Sequence, residues 1–97
     1  MSVMVLLELQ SNVENIEQLK STFRDMLADT RKYDGCQGVE TFNNQDDPNQ
    51  LVLVEKWESR QHYEAYLAWR TESGALDAVV SMTSGAPSIR YFDYIDI

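Results

Sequence analysis

The chain has one cysteine, one histidine, two prolines and four glycines in 97 residues. Cys36 cannot form an intrachain disulfide, and with only His62 beside it no Cys/His zinc set can be assembled. No stretch reaches the roughly 18 apolar residues that cross a membrane. Cations are scarce: eight Lys and Arg face sixteen Asp and Glu, for a net charge of −8. They are scattered along the chain, so neither the phosphates of a nucleic acid nor an anionic membrane surface finds the clustered positive charge it needs. No phosphate loop, nucleophile elbow, paired metal ligands or Cys/His dyad spacing occurs, so no metal and no cofactor is expected. The start, Met1 to Glu8, lacks the basic stretch of a signal peptide and is interrupted by Glu8. A cytoplasmic protein is expected.

What is present is an ordinary globular composition, with 43% hydrophobic, 10% aromatic and 25% charged residues. The length predicts a single domain over residues 1–97. Val3 to Gln10 reads as a strand, with Val3, Val5, Leu7 and Leu9 on one face and Met4, Leu6, Glu8 and Gln10 on the other. Ser11 to Tyr33 reads as a helix, opened by a Ser11/Glu14 capping box and closed by Asp34-Gly35. Its apolar stripe runs through Val13, Ile16, Leu19, Phe23, Met26, Leu27 and Thr30. Cys36 to Asn43 is a weaker strand, and Asn44 to Asn49 a turn. Gln50 to Glu58 is the strongest strand, apolar on both faces. Ser59 caps a helix to about Arg70, with Tyr63, Tyr66, Leu67 and Arg70 on one stripe. Ser73 is expected to cap a short third helix, and Ser88 to Ile97 is the last strand.

The order predicts an α+β, ferredoxin-like fold: a four-stranded antiparallel sheet with helices on one face. Three of the strands are apolar on both faces, and the helices of one chain can cover only one. A homodimer that buries the other face is therefore expected.

Glu8, Glu55 and Trp57 are the most informative polar and aromatic positions. Glu55 shares a strand face with Leu53 and Trp57. A carboxyl there either reaches the sheet rim, pairs with a cation, or lines a cavity, where burial would raise its pKa and suit it to act as a base. Trp57 is either core or a ligand-orienting donor through its indole N–H. Tyr63, Tyr66, Trp69, Tyr91, Phe92 and Tyr94 either pack the core and interface or hold a flat aromatic ligand. His62 is either a solvated helix histidine or a proton shuttle at a cavity rim. Cys36, between Gly35 and Gly38, reads as a small structural residue, because no base is placed beside it.

Three segments carry a resemblance: Tyr33-Asp34-Gly35-Cys36-Gln37-Gly38-Val39-Glu40, Asp46-Asp47-Pro48-Asn49 with Leu51 to Ser59, and Ser59 to Leu67. Together they resemble the antibiotic biosynthesis monooxygenase family of the dimeric α+β barrel superfamily. The resemblance implies a homodimer with a cavity between sheet and helices. It also implies a monooxygenase that oxidises a quinol, phenol or related aromatic with O₂ and needs no metal, flavin or other prosthetic group. Leu53 stands where some oxygenase members have Asn. No His follows the second helix in Thr71 to Leu76, where haem-degrading relatives ligate iron, and Ser73 stands where many quinol-type members have His. Haem degradation is therefore disfavoured.

The site expected on these grounds uses Glu8 or Glu55 as the catalytic base. Trp57, Tyr66 and Tyr91 would bind the substrate. If Glu8, Glu55 and Trp57 all point away from the helices, they would meet on the face that the dimer encloses. A second reading stays open: a non-catalytic dimeric α+β barrel that binds a small ligand or nothing.

Overall fold

The computed structural model describes residues 2–97. Its elements, in chain order, are β1 (Val3–Gln10), a 3₁₀ turn (Val13–Asn15), α1 (Ile16–Thr30), β2 (Cys36–Asn43), β3 (Gln50–Trp57), α2 (Arg60–Glu72), α3 (Ala75–Val80) and β4 (Ser88–Asp93). The strands form one antiparallel sheet in the order β2-β3-β1-β4. The helices pack on one face of it, as expected of a ferredoxin-like α+β domain, and the sheet is not closed within one chain.

Alternation assigns the two faces. Val3, Val5, Leu9, Leu51, Leu53 and Val39 point to the helices and are buried. Leu19, Phe23 and Leu27 of α1 and Val79 of α3 close one end of that core. Tyr63 and Tyr66 of α2 close the other, against Val3, Val5 and Trp57. Each such side chain contributes roughly 1.5–3 kcal/mol by leaving water. On the outer face, Leu6 lies between Val54 of β3 and Arg90 of β4, and Met4 between Lys56 and Phe92. Phe42, Phe92 and Tyr94 are exposed there.

Four local expectations are corrected. Ser11 does not cap α1: it is buried, and its hydroxyl donates to the carbonyls of Asn12 and Met82. The helix instead enters through the 3₁₀ turn, which leaves Val13 76% exposed rather than in the stripe. α1 ends at Thr30, and the chain reaches Gly35 through a turn in which the Tyr33 N–H donates to the Thr30 carbonyl. Ser73 ends α2, donating its hydroxyl to the Arg70 carbonyl; its oxygen also accepts from the Ala75 N–H at the start of α3, but Gly74 (φ 81°), not Ser73, holds the N-cap position. β4 stops at Asp93 because its partner β1 begins at Val3, directly opposite, so Tyr94 to Ile97 have no strand to pair with despite their alternation. Ser59 does cap α2, its hydroxyl accepting from the His62 N–H at 3.2 Å.

Gly35 (φ 91°) carries the turn into β2 against α2. A Cβ there would sit 2.5 Å from the His62 ring. The left-handed backbone and the blocked space both demand glycine. Gly35→Ala should cost about 2 kcal/mol or more, read as a lower urea midpoint. An unchanged midpoint would contradict this packing.

Candidate functional site

β3 is an interior strand, with β2 and β1 hydrogen-bonded on either side. Glu55 on it faces the helices, flanked by Val39 of β2 and Val5 of β1. It is 3% exposed. A carboxyl in that position cannot reach a sheet edge, and among the described residues it takes part in no ion pair. Among the described residues its side chain has one hydrogen-bond partner, Trp57, two residues along the same face, whose indole Nε1–H donates to Oε1 at 3.0 Å. Burial pushes the Glu55 carboxyl from 4.5 up to about 7, and the Trp57 bond only partly opposes this.

Aromatic rings surround the pair. Trp57 is fully buried, 5.4 Å from Tyr63 and 5.1 Å from Tyr66 between ring centres. Burial also raises the Tyr63 phenol, so it stays neutral. The Tyr66 hydroxyl lies 2.7 Å from Thr30 Oγ1 and accepts from Arg70 Nε at 3.0 Å. Thr30 gives its own proton to the Met26 carbonyl, so Tyr66 donates to Thr30. Between sheet and helices these groups leave a cavity of about 40 Å³, lined by Glu55, Tyr63, Tyr66, Arg70, Leu53 and Leu67 among others. That space suits a water or two, whereas ligand sites run to roughly 300 Å³ and more.

The structure thus brings Glu55, Trp57 and Tyr66 together, beneath the helices and not on the opposite face. Glu8 does not join them. It is on the outer face, opposite Val52 and Ser88, and pairs with Arg90. The meeting of Glu8, Glu55 and Trp57 on one outer face is therefore corrected: the β1–β3 register sets Glu55 opposite inward-facing Val5, and Glu8 has the other parity. Tyr91 stands at one end of the sheet, edge-on to Tyr63 at 5.8 Å, with the Arg60 guanidinium 3.8 Å over its ring.

His62 belongs to neither group. Its Nδ1 lies 2.6 Å from the Ser59 hydroxyl, and its Nε2 lies 3.6 Å from Glu58 and 3.9 Å from Asp34. Burial raises the Cys36 thiol, which makes it a poor nucleophile. Among the described residues no three His, Cys, Asp or Glu side chains cluster as metal ligands would, and no helix is long and apolar enough to cross a membrane. Residue-by-residue reading missed Arg70 as a site residue. The available signal was a cation on the apolar stripe of α2.

The raised Glu55 pKa carries a stability signature. The folded state holds this proton more tightly than the unfolded chain, so the contribution is fully present below about pH 4.5 and is lost as pH rises through about 7. The loss is about 3 kcal/mol at most. Glu55→Gln keeps the shape and cannot ionise. Urea unfolding of both proteins at pH 5 and pH 8 should show the variant gaining relative to the parent at the higher pH. A pH-independent difference would contradict the raised pKa.

Residues 2–80 match the family model described as antibiotic biosynthesis monooxygenase. No curated protein matches the chain. Among solved structures, an antibiotic biosynthesis monooxygenase superposes with a TM-score of 0.87 at 18% identity, covering 97% of this chain and 99% of that one. A conserved protein from Methanosarcina mazei Go1 gives 0.86 at 13% identity, covering 95% and 91%. A protein from Mycobacterium tuberculosis gives 0.83 at 20% identity, covering 100% and 98%. At these identities the structures show a shared fold.

Proposed function

The chain belongs to the antibiotic biosynthesis monooxygenase family, and on that premise we propose that it is a monooxygenase that oxidises a quinol, phenol or related aromatic with O₂ and no prosthetic group. The observation that supports this reading is the buried Glu55 carboxyl, poised to exchange a proton near neutral pH at the wall of an apolar cavity that Tyr63 and Tyr66 also line. In its ionised form Glu55 takes the proton of a substrate O–H. The resulting anion is electron-rich enough to pass an electron to O₂, and the substrate is its own reductant. One oxygen atom ends in the product and the other in water.

In this reading Glu55 is the base, and Trp57 holds its carboxyl in place with the indole N–H. Tyr66 supplies an aromatic wall, and Tyr91 extends it through Tyr63 toward the sheet end. Glu8 has a different place in the proposal. With Arg90 it sits among the apolar residues of the outer face, where a second copy would cover Leu6, Val52, Val54 and Phe92. We propose that homodimer as the working unit. A ring-sized ligand needs more room than the closed cavity offers, and in this proposal α3, whose Leu76 and Val79 line it, moves outward about Gly74 while the end of α2 stays tied to α1. The small cavity is also the observation that favours the alternative, a non-catalytic dimeric barrel.

Oxygen uptake with a panel of quinols on metal-free protein separates the two readings. Turnover should rise with pH through about 7 as Glu55 ionises. Glu55→Gln should lower it ~10²-fold or more, because it keeps the shape and removes the base. Absence of uptake with every quinol would favour the binding module. Light scattering at micromolar concentration should give about twice 11.2 kDa, and a stable monomer would refute the covered outer face.

A further inference from the structure

Arg70 is 8% exposed, and among the described residues no carboxylate pairs with it. A buried cation is costly unless its charge and its donors are met. Three of its contacts are accounted for. Nε donates to the Tyr66 hydroxyl at 3.0 Å, and Nη2 donates to the Met26 carbonyl at 2.8 Å and the Thr30 hydroxyl at 3.2 Å. These tie α2 to the last turn of α1, where the helix dipole favours a positive charge. The guanidinium also lies 4.5 Å over the Trp69 ring.

That strut uses only one edge of the fork. An arginine has five N–H donors, and the two on Nη1 have no acceptor among the described residues. Among the described residues no fully buried polar side-chain atom lacks a partner, so Nη1 is not fully buried. The same holds for the Glu55 oxygen that Trp57 does not engage. Arg70 and Glu55 line one cavity without forming an ion pair across it. Glu55, with one oxygen unpaired, and Arg70, with two N–H groups unpaired, therefore line the same small cavity, which Tyr63, Tyr66 and aliphatic side chains complete.

We propose that Arg70 is a substrate-binding residue that receives the second oxygen of a conjugated phenol. The substrate class is a flat aromatic with an ionisable hydroxyl at one end and a conjugated oxygen acceptor at the other. This rests on the cavity being the aromatic site of the preceding section. When Glu55 takes the hydroxyl proton, the charge spreads through the ring onto the far oxygen. There Nη1 donates to it, and the hydrogen bond strengthens as the negative charge arrives. The net charge of the site does not change in the step: Glu55 becomes neutral as the ligand becomes anionic. A phenol without the far oxygen would leave Arg70 as it is now.

Two redox-quiet probes of similar size test this, para-hydroxybenzaldehyde and para-ethylphenol, titrated calorimetrically into the full-length protein. The aldehyde should bind about tenfold or more tightly than the ethylphenol, with its phenolate absorbance band enhanced on binding. Arg70→Met should bring the affinity ratio to about one and abolish the enhanced band, while ethylphenol binding persists. If that variant does not fold, Arg70→Lys keeps the charge and loses the fork. Its ratio should fall about threefold or more, and an unchanged ratio would overturn the assignment. Equal binding of both probes to the unaltered protein would overturn the Arg70 role and leave an aromatic site standing. Binding of neither would overturn the aromatic site and this inference together.

Discussion

A carboxyl buried on an interior strand constrains everything around it. Glu55 sits between Val39 and Val5, under two tyrosines, with a single indole N–H for a partner among the described residues. Because β3 is paired on both sides, the side chain has no edge by which to reach bulk water. The fold tolerates it by two means. Trp57 spends its only donor on it, and the carboxyl holds its proton to about pH 7. A residue of that kind weakens the domain when ionised.

The two faces of the sheet divide the work. The inner face carries the ionisable group, the aromatic walls and the Arg70 strut. The outer face carries the Glu8–Arg90 pair among Leu6, Val52, Val54 and Phe92, a mixture suited to association. Family membership fixes the framework in which this happens. Relatives at 13–20% identity share that framework, and within it Glu55, Trp57, Tyr66 and Arg70 are this chain's own.

Much of this was legible in the sequence, and the exceptions have physical reasons. Alternation placed Glu55 and Trp57 on one face, because period-two geometry is local. It could not say which face lies under the helices, since Leu51 and Leu53 on one side of β3 are as apolar as Val52 and Val54 on the other. The separation of Glu8 from Glu55 depends on the register between β1 and β3, a long-range property. Ser11 and Glu14 have capping spacing, yet Ser11 is drawn into the core beside Met82, a tertiary contact that local spacing does not encode. Tyr94 to Ile97 keep a strand's alternation but run past the end of β1. Arg70 on the apolar stripe of α2 was visible, but its meaning required Thr30 and Met26 of α1 beside it.

The site depends on Glu55 exchanging its proton near neutrality. Carbon-13 labelling of the glutamate carboxyls and an NMR pH titration measure this directly. One carboxyl resonance should titrate with a midpoint near 7 and vanish in Glu55→Gln. If the resonance lost in the variant titrates near 4.5, the carboxyl is not held protonated by burial, and the account of the site is wrong.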